Sequence, residues 1–417
     1  MRHPRRAAAV VVALAACLAG CGGSGAAPGG FTYQGKLTVY SDLPLQGSDP
    51  ALQMSIVNGE KLALYEAGGH AGRIEVAFES LNDADRSTGQ WTAEETSDSA
   101  RQAVQDLKAI AYIGDFDSGA TATSLPLTNQ NDILQVSPAS PYVGFTNANP
   151  ADIKGEPDSY YGVPQQTFAR LMPTDLQEAA ASTELMHSLG VKRLYVLSDL
   201  AGTAVYDGAI ASMVAARAPH SEVKLSGEQQ IDTDTNAKPV GYAQIVARIA
   251  ATHPDAVFVG DAPGPGAQAL WQELHRLMPS VKLFAPSTLA TAPFLAGLGA
   301  AGAATYVTSP ILELNQYPPR SQAVLRAYRA HFNSAPTAYT LYGFEAMQSV
   351  LAAIDAAGKN GSVRRDVIKA YFALGERDSV IGRYSISRRG DTSLSRFAGY
   401  RVGPGGKLVE LRLLSGG

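Results

Sequence analysis

Residues able to do chemistry are sparse in this chain, and their spacing excludes most reaction types. Its two cysteines, Cys17 and Cys21, both fall near the start. The rest of the chain therefore has no thiol for a disulfide, a CxxC redox pair or a thiolate metal site. The histidines (His3, His70, His187, His220, His253, His275 and His331) are scattered without ligand spacing, and neither an HExxH helix nor a GxSxG elbow is present. His187 and His275 fall on predicted amphipathic helices and read as surface or boundary residues. The carboxylate pairs Glu94-Glu95 and Asp232 with Asp234 lie in stretches that read as polar loops, where solvation explains them better than acid–base work. Gly264-Pro265-Gly266-Ala267-Gln268-Ala269 formally matches GxGxxA and invites a dinucleotide. It stands deep in the chain, separated from its strand and surrounded by prolines instead of forming a tight turn, and so reads as a loop at a cleft edge. No enzyme activity, cofactor or metal is expected from these residues.

The chain has 417 residues, 45% hydrophobic and 17% charged, enough for two or three domains with their own cores. The formal charge of −4 comes without a sustained basic stripe, so a nucleic-acid backbone would find little footprint. At the N-terminus, Arg2, Arg5 and Arg6 precede an apolar run from Ala7 to Ala19, the shape of a secretory signal too short to span a bilayer comfortably. The run ends in Leu18-Ala19-Gly20-Cys21, which resembles the lipobox of bacterial lipoproteins. That resemblance implies a signal peptide over residues 1–20, a lipid-bearing Cys21, and a flexible tether over 21–35, with Gly22 to Gly30 rich in Gly, Ser and Ala. An exported acidic body follows, and no later segment is long and apolar enough to span.

The elements that must position any site alternate strictly. Strands are expected at Lys36 to Ser41, Arg73 to Ser80, Ala111 to Gly114, Ile133 to Ser137, Arg193 to Ser198, Ala256 to Gly260, Lys282 to Ala285 and Thr305 to Ser309. Helices are expected at Pro50 to Ala67, Asp98 to Lys108, Asp175 to Leu189, Tyr242 to Thr252 and Ala267 to Leu277. This predicts an α/β fold of parallel sheets flanked by helices. Gly190, Gly68-Gly69 and Gly358 read as helix stops, and Asp175 as an N-cap or first-turn acid. A proline- and glycine-bearing stretch from Thr146 to Gln166 reads as an ordered loop or linker. The last hundred or so residues hold helices at Pro319 to His331, Tyr339 to Ala357 and Val363 to Leu374, then β-rich segments near Gly382 to Ser387 and Phe397 to Val402. Such a tail has too few strands for a third sheet domain and should pack on the first two.

In open parallel sheets, ligands bind beyond the carboxyl ends of strands. Asp115 to Thr123 is such a loop. Its small residues allow close backbone approach, and the following helix offers unpaired N–H groups to an anion.

Several stretches, in order, resemble the leucine/isoleucine/valine-binding family of type I periplasmic binding proteins that feed ABC importers. They are Leu43-Pro44-Leu45-Gln46-Gly47, Asn58-Gly59-Glu60 to Ala67-Gly68-Gly69, and Ile113-Gly114-Asp115 to Ser118-Gly119-Ala120-Thr121. Further on come Gln135-Val136-Ser137-Pro138-Ala139-Ser140, Phe168-Ala169-Arg170 to Pro173-Thr174-Asp175, and Tyr342-Gly343-Phe344-Glu345-Ala346-Met347. The resemblance implies two doubly wound parallel-sheet lobes joined by a hinge of three crossings, near Leu171 to Thr174, Thr308 to Ile311 and Gly382 to Ser385. One lobe would comprise 36–171 with 310–382, the other 172–309 with 383–417. It further implies a monomeric extracytoplasmic lipoprotein that captures an amino acid, plausibly branched-chain, for ABC permease subunits.

Carried over by position, Ser118, Ala139 and Ser140 would hold the ligand carboxylate. Pro141 has no N–H to offer. Thr121 would frame the loop, and Tyr206 and Tyr339 would wall the pocket. The sequence departs from the family in two places. Its aromatic after the Ala256 to Gly260 strand falls at about Ala262, beside Asp261, and the acid that pairs with the ligand ammonium falls at about Ser287. A neutral hydroxyl cannot offset a buried ammonium. Either Asp261 or another acid such as Asp199 substitutes, or the solute is an amide or small carboxylate without an α-ammonium. A surface receptor that senses its ligand would use the same fold.

Overall fold

The computed structural model describes residues 36–46, 49–148, 155–233 and 242–417. The expected signal peptide, Cys21 and the tether lie outside the described residues, as does Asp234.

The first sheet grows from strands that are apolar on both faces. β1 (Leu37–Asp42) is buried along its whole length. Then come α1 (Pro50–Glu66), β2 (His70–Ala71), β3 (Ile74–Leu81), α2 (Ala93–Gln105), β4 (Ala109–Ile113), α3 (Ser118–Gln130), β5 (Leu134–Ser137) and β6 (Phe168–Arg170). The spatial order is β2-β3-β1-β4-β5-β6, parallel except for the two-residue pairing of β2 with β3. A run such as Ala109–Ile113, buried at every position, is what a strand covered by helices on both faces requires.

The second sheet is built from β7 (Arg193–Asp199), β8 (Lys224–Ile231), β9 (Ala256–Gly260), β10 (Lys282–Ala285) and β11 (Thr305–Ser309). They are separated by α5 (Val205–Gly208), α6 (Ile210–Arg217), α7 (Tyr242–Ala250), α8 (Pro265–Leu277) and α9 (Ala292–Gly297), and α4 (Asp175–Ser188) leads in. The chain then runs through α10 (Ser321–Phe332), α11 (Ala338–Ala356), α12 (Arg364–Phe372), the ribbon β12 (Arg377–Ser379) and β13 (Gly382–Tyr384), and ends in β14 (Arg396–Val402) and β15 (Leu408–Ser415). The order β15-β14-β11-β10-β9-β7-β8 is parallel from β8 to β11, with β14 and β15 added antiparallel at the β11 side. The expected α/β architecture of two sheet lobes is present. Its second sheet is mixed because a short turn at Pro404–Gly406 can join antiparallel strands without a helical crossover.

The tail helices do not form a body of their own. α11 lies along α1, and α12 lies on α11. The α1–α11 approach is set by glycine: a Cβ on Gly59 would stand 2.3 Å from the Thr340 carbonyl oxygen, and one on Gly343 would stand 2.3 Å from that of Ile56. Ser55 Oγ and Thr337 Oγ1 meet at 2.7 Å where the two helices begin.

Three local readings change. Glu94 and Glu95 are not in a loop but in the first turn of α2, whose cap is Thr92; its Oγ1 accepts from Glu95 N at 3.2 Å. There the carboxylates complement the positive helix end. The edge strand β8 was missed because Lys224–Ile231 is largely polar and half exposed. Gly264-Pro265-Gly266 is a helix start with Pro265 in the first turn, and a Cβ on Gly266 would meet the Thr233 carbonyl oxygen at 2.0 Å, so this glycine serves packing. Thr174 caps α4 in a capping box with Gln177, which leaves Asp175 in the first turn, and Gly68, Gly69, Gly190 and Gly358 all take positive φ at helix ends.

Replacing Gly343 with alanine should lower stability by about 1–3 kcal/mol through overpacking. Denaturant unfolding measures this, and an unchanged midpoint would contradict the close α1–α11 crossing.

Candidate functional site

All parallel strands of a sheet end on the same edge, and here those ends carry hydroxyls and acids. In the first lobe, Ser137 organises the loop edge: its Oγ donates to the Asp115 carbonyl at 2.8 Å and accepts from Ser140 N at 2.9 Å and Ala139 N at 3.3 Å. This brings Ser140 to Ser118, and their hydroxyl oxygens stand 3.0 Å apart. Ser118 begins α3. Thr121, one turn on, donates through Oγ1 to the Asp117 carbonyl at 3.2 Å and so braces the loop from within. Ala139 is buried beside this pair. Gly119 lies under a ceiling of rings, since an added Cβ would stand 2.2 Å from Trp91 and 3.2 Å from Tyr206.

Tyr206 comes from the second lobe, on the short helix α5, and reaches the first. Its ring meets Tyr142 edge-on at 5.1 Å between centroids. Tyr339, in the first turn of α11, packs on Phe116 of the Asp115–Ser118 loop at 5.5 Å. The sequence-predicted residues Ser118, Ala139, Ser140 and Thr121 thus lie together, Tyr206 closes over their loop, and Tyr339 abuts its Phe116. Asp261 stands elsewhere on the second lobe's edge. Its Oδ1 accepts from Thr233 Oγ1 at 3.1 Å and from Ala262 N at 2.7 Å, and its Oδ2 has no partner. Asp199, at the end of β7, accepts from the same Thr233.

An acid from another element lies against Ser287. Glu178 on α4 accepts from Ser287 N at 2.5 Å and Ser287 Oγ at 2.6 Å, and from Thr308 Oγ1 at 3.1 Å. Its carboxylate therefore lies directly against Ser287. Sequence reading overlooked Glu178, although a signal existed: it shares the buried face of α4 with Ala181, Ser182 and Leu185, an acid at helical spacing among core residues.

Burial raises the acids around the strand ends. Glu178 is pushed up to about 8 by desolvation, opposed by its bonds from Ser287. Asp117 is pushed up to about 7 by desolvation, and Asp175 likewise to about 7 against the pull of Arg170. Asp261 rises to about 7 through burial and the neighbouring Asp199. Asp207, next to Tyr206, is raised well above the usual carboxylate range by burial and by the charges of Asp117, Asp175 and Asp261. Acids of both lobes thus feel one another, a field that favours a positive group between them.

Comparison with known proteins agrees with the fold. Residues 43–407 match the family described as periplasmic binding protein. An amino acid binding protein of Pseudomonas aeruginosa is 23% identical over 318 residues, covering 75% of this chain and 76% of that one. Among solved structures, the leucine-binding protein LivK of Thermotoga maritima superposes with a TM-score of 0.70 at 18% identity, covering 91% of this chain and 99% of its own. A solute-binding protein of an R. palustris ABC transporter, in complex with benzoate, gives 0.66 at 19% identity over 91% and 97% of the two chains. An ABC transporter substrate-binding protein from Desulfitobacterium hafniense, in complex with Leu, gives 0.70 at 15% identity over 90% and 100%. With two sheet lobes, three chain crossings and a family match running from Leu43 to Lys407, the chain belongs to the periplasmic binding protein family.

Proposed function

We propose that the chain captures an amino acid between its lobes and delivers it to the permease subunits of an ABC importer. The observation that carries this reading is the Glu178 carboxylate held at Ser287. It gives the cleft a buried acid for an α-ammonium, while the Ser118–Ser140 hydroxyls and the first turn of α3 serve a carboxylate. Phe116 and Tyr339 offer an apolar wall for the side chain. The amino acid binding relative from Pseudomonas aeruginosa and the leucine-binding structures support the same class.

The lobes are taken as 36–171 with 310–382 and 172–309 with 383–417. Closure is taken to occur at the three crossings, in a monomer held outside the cytoplasm by lipid on Cys21. Among the described residues no helix is long and apolar enough to cross a membrane. A second reading, an aromatic carboxylate without an ammonium, draws on the benzoate-bound relative and on the rings of Tyr142, Tyr206 and Tyr339.

A thermal-shift panel of amino acids, amides and aromatic acids separates the two readings. A solute at 100 times its dissociation constant adds ~2.7 kcal/mol of stability. A response to aromatic acids alone would replace the first reading by the second. Ser118→Ala should weaken binding by about 1–2 kcal/mol, through loss of a charge-assisted hydrogen bond. Glu178→Gln should weaken an amino acid about tenfold or more, yet leave the matching acid without its amino group within about twofold. Equal losses for both would remove Glu178 from the ammonium site.

The raised carboxyls also set a pH dependence. Asp117, Asp175, Asp261 and Glu178 hold their protons more tightly folded than unfolded, so the folded chain binds more protons up to the pH range of about 7 to 8. Stability therefore falls as pH rises through that window. The solute-free protein should melt at a higher temperature at about pH 5.5 than at about pH 8.5, and a saturating ammonium solute should narrow the gap. Melting curves across pH measure both.

A further inference from the structure

A second group of acids lies below the solute loop and takes no part in the proposed capture. Asp42 ends β1, Asp83 follows β3, and Asp115 follows β4. The order β3-β1-β4 makes these three strand ends neighbours, although the residues are far apart in sequence. Each offers a carboxylate oxygen, and the three oxygens lie within 4.8 Å of one another. All three side chains are fully buried, at 0% exposure.

Asp115 Oδ2 accepts from Ser124 Oγ and, at 3.3 Å, from Gln135 Nε2, but the hydrogen bonding of the other two acids does not balance. The Tyr112 hydroxyl stands 2.8 Å from Asp42 Oδ2 and 2.9 Å from Asp115 Oδ1, but it has one proton and can donate to only one of them. Asp83 Oδ2 has a 3.4 Å contact from Thr96 Oγ1, and Oδ1 of Asp42 and Oδ1 of Asp83 have no hydrogen-bond partner. Among the described residues no Lys or Arg pairs with any of the three, and the charges that act on Asp42 and Asp83 from outside the trio are Glu95 on α2 and Asp117, both acidic. Carboxylates sealed from water without a base need a counter-charge.

We propose that Asp42, Asp83 and Asp115 bind a hard divalent cation, with the Tyr112 hydroxyl oxygen beside it. The donor set is all oxygen, which suits Ca²⁺, Mg²⁺ or Mn²⁺ and not a thiol- or imidazole-seeking metal. Two oxygens on opposite sides of a Ca²⁺ ion at ~2.4 Å are ~4.8 Å apart, the span available here. Such an ion neutralises the two unpartnered oxygens and ties together three strand ends, including the start of the loop that presents Ser118. The site is independent of the solute reading, since none of its three acids touches the Ser118–Ser140 pair.

The test uses the full chain stripped of metal by chelator and desalting, with Ca²⁺, Mg²⁺ and Mn²⁺ added singly and no solute present. One equivalent of at least one cation should bind by calorimetry and raise the melting temperature. The substitutions Asp42→Asn and Asp83→Asn, which preserve shape and remove charge, should weaken that binding at least tenfold while retaining a cooperative melt. If the variants fail to fold, the wild type still decides: Tb³⁺ should luminesce on tyrosine excitation and be displaced by excess Ca²⁺. Absence of cation binding by the wild type would overturn the proposal. So would binding that persists unchanged in both folded variants, or stabilisation of the stripped protein by acid alone with no response to any cation.

Discussion

Buried acids at the carboxyl ends of the strands are the constraint around which this molecule is arranged. Parallel sheets deliver the ends of their strands to one edge, and here the edge of the first sheet carries Asp42, Asp83, Asp115 and Asp117 and that of the second carries Asp199 and Asp261. Desolvation opposes the charged form of Asp42, Asp83, Asp115, Asp117 and Asp261, and like charges nearby add to the cost at all of these but Asp117. One basic residue shows how the cost is met when a partner exists. Arg170, fully buried at the end of β6, pairs with Asp391 at 3.0 Å and donates to the Ser140 and Tyr142 carbonyls at 3.1 and 2.7 Å. It also lies over the rings of Phe145 and Phe168. In one position it ties the end of β6 and the Ser140–Tyr142 segment to Asp391, which lies between β13 and β14.

Glu178 has no such basic partner among the described residues. It accepts hydrogen bonds from Ser287 and Thr308 instead. Burial raises it to about 8, so a positive group bound beside it would couple that group's charge to stability through the same carboxyl. A site that brings its own counter-charge with the solute gains selectivity from the desolvation that would otherwise destabilise the empty cleft.

One contact between the lobes is made ring to ring. Tyr206 reaches across to Tyr142 and to the backbone at Gly119, where any side chain beyond hydrogen would collide with Trp91. The glycines of the α1–α11 pair let two helix backbones approach so closely that the tail is fixed to the first lobe.

The sequence by itself determined the sheet lobes. The apolar runs at Ala109–Ile113 and Ala256–Gly260, the glycines that stop helices and the alternation of periods are local patterns, set by backbone geometry and burial within a few residues. The loop at Ser118 was legible for the same reason, since small residues, a helix start and a strand end are adjacent in the chain. Tertiary structure alone decided which acids share a space. Glu178 and Ser287 lie on different elements, as do Asp42, Asp83 and Asp115, and the electrostatics of each depends on neighbours brought together by strand order. Charge acts through distance in space, and spacing along a chain does not record it.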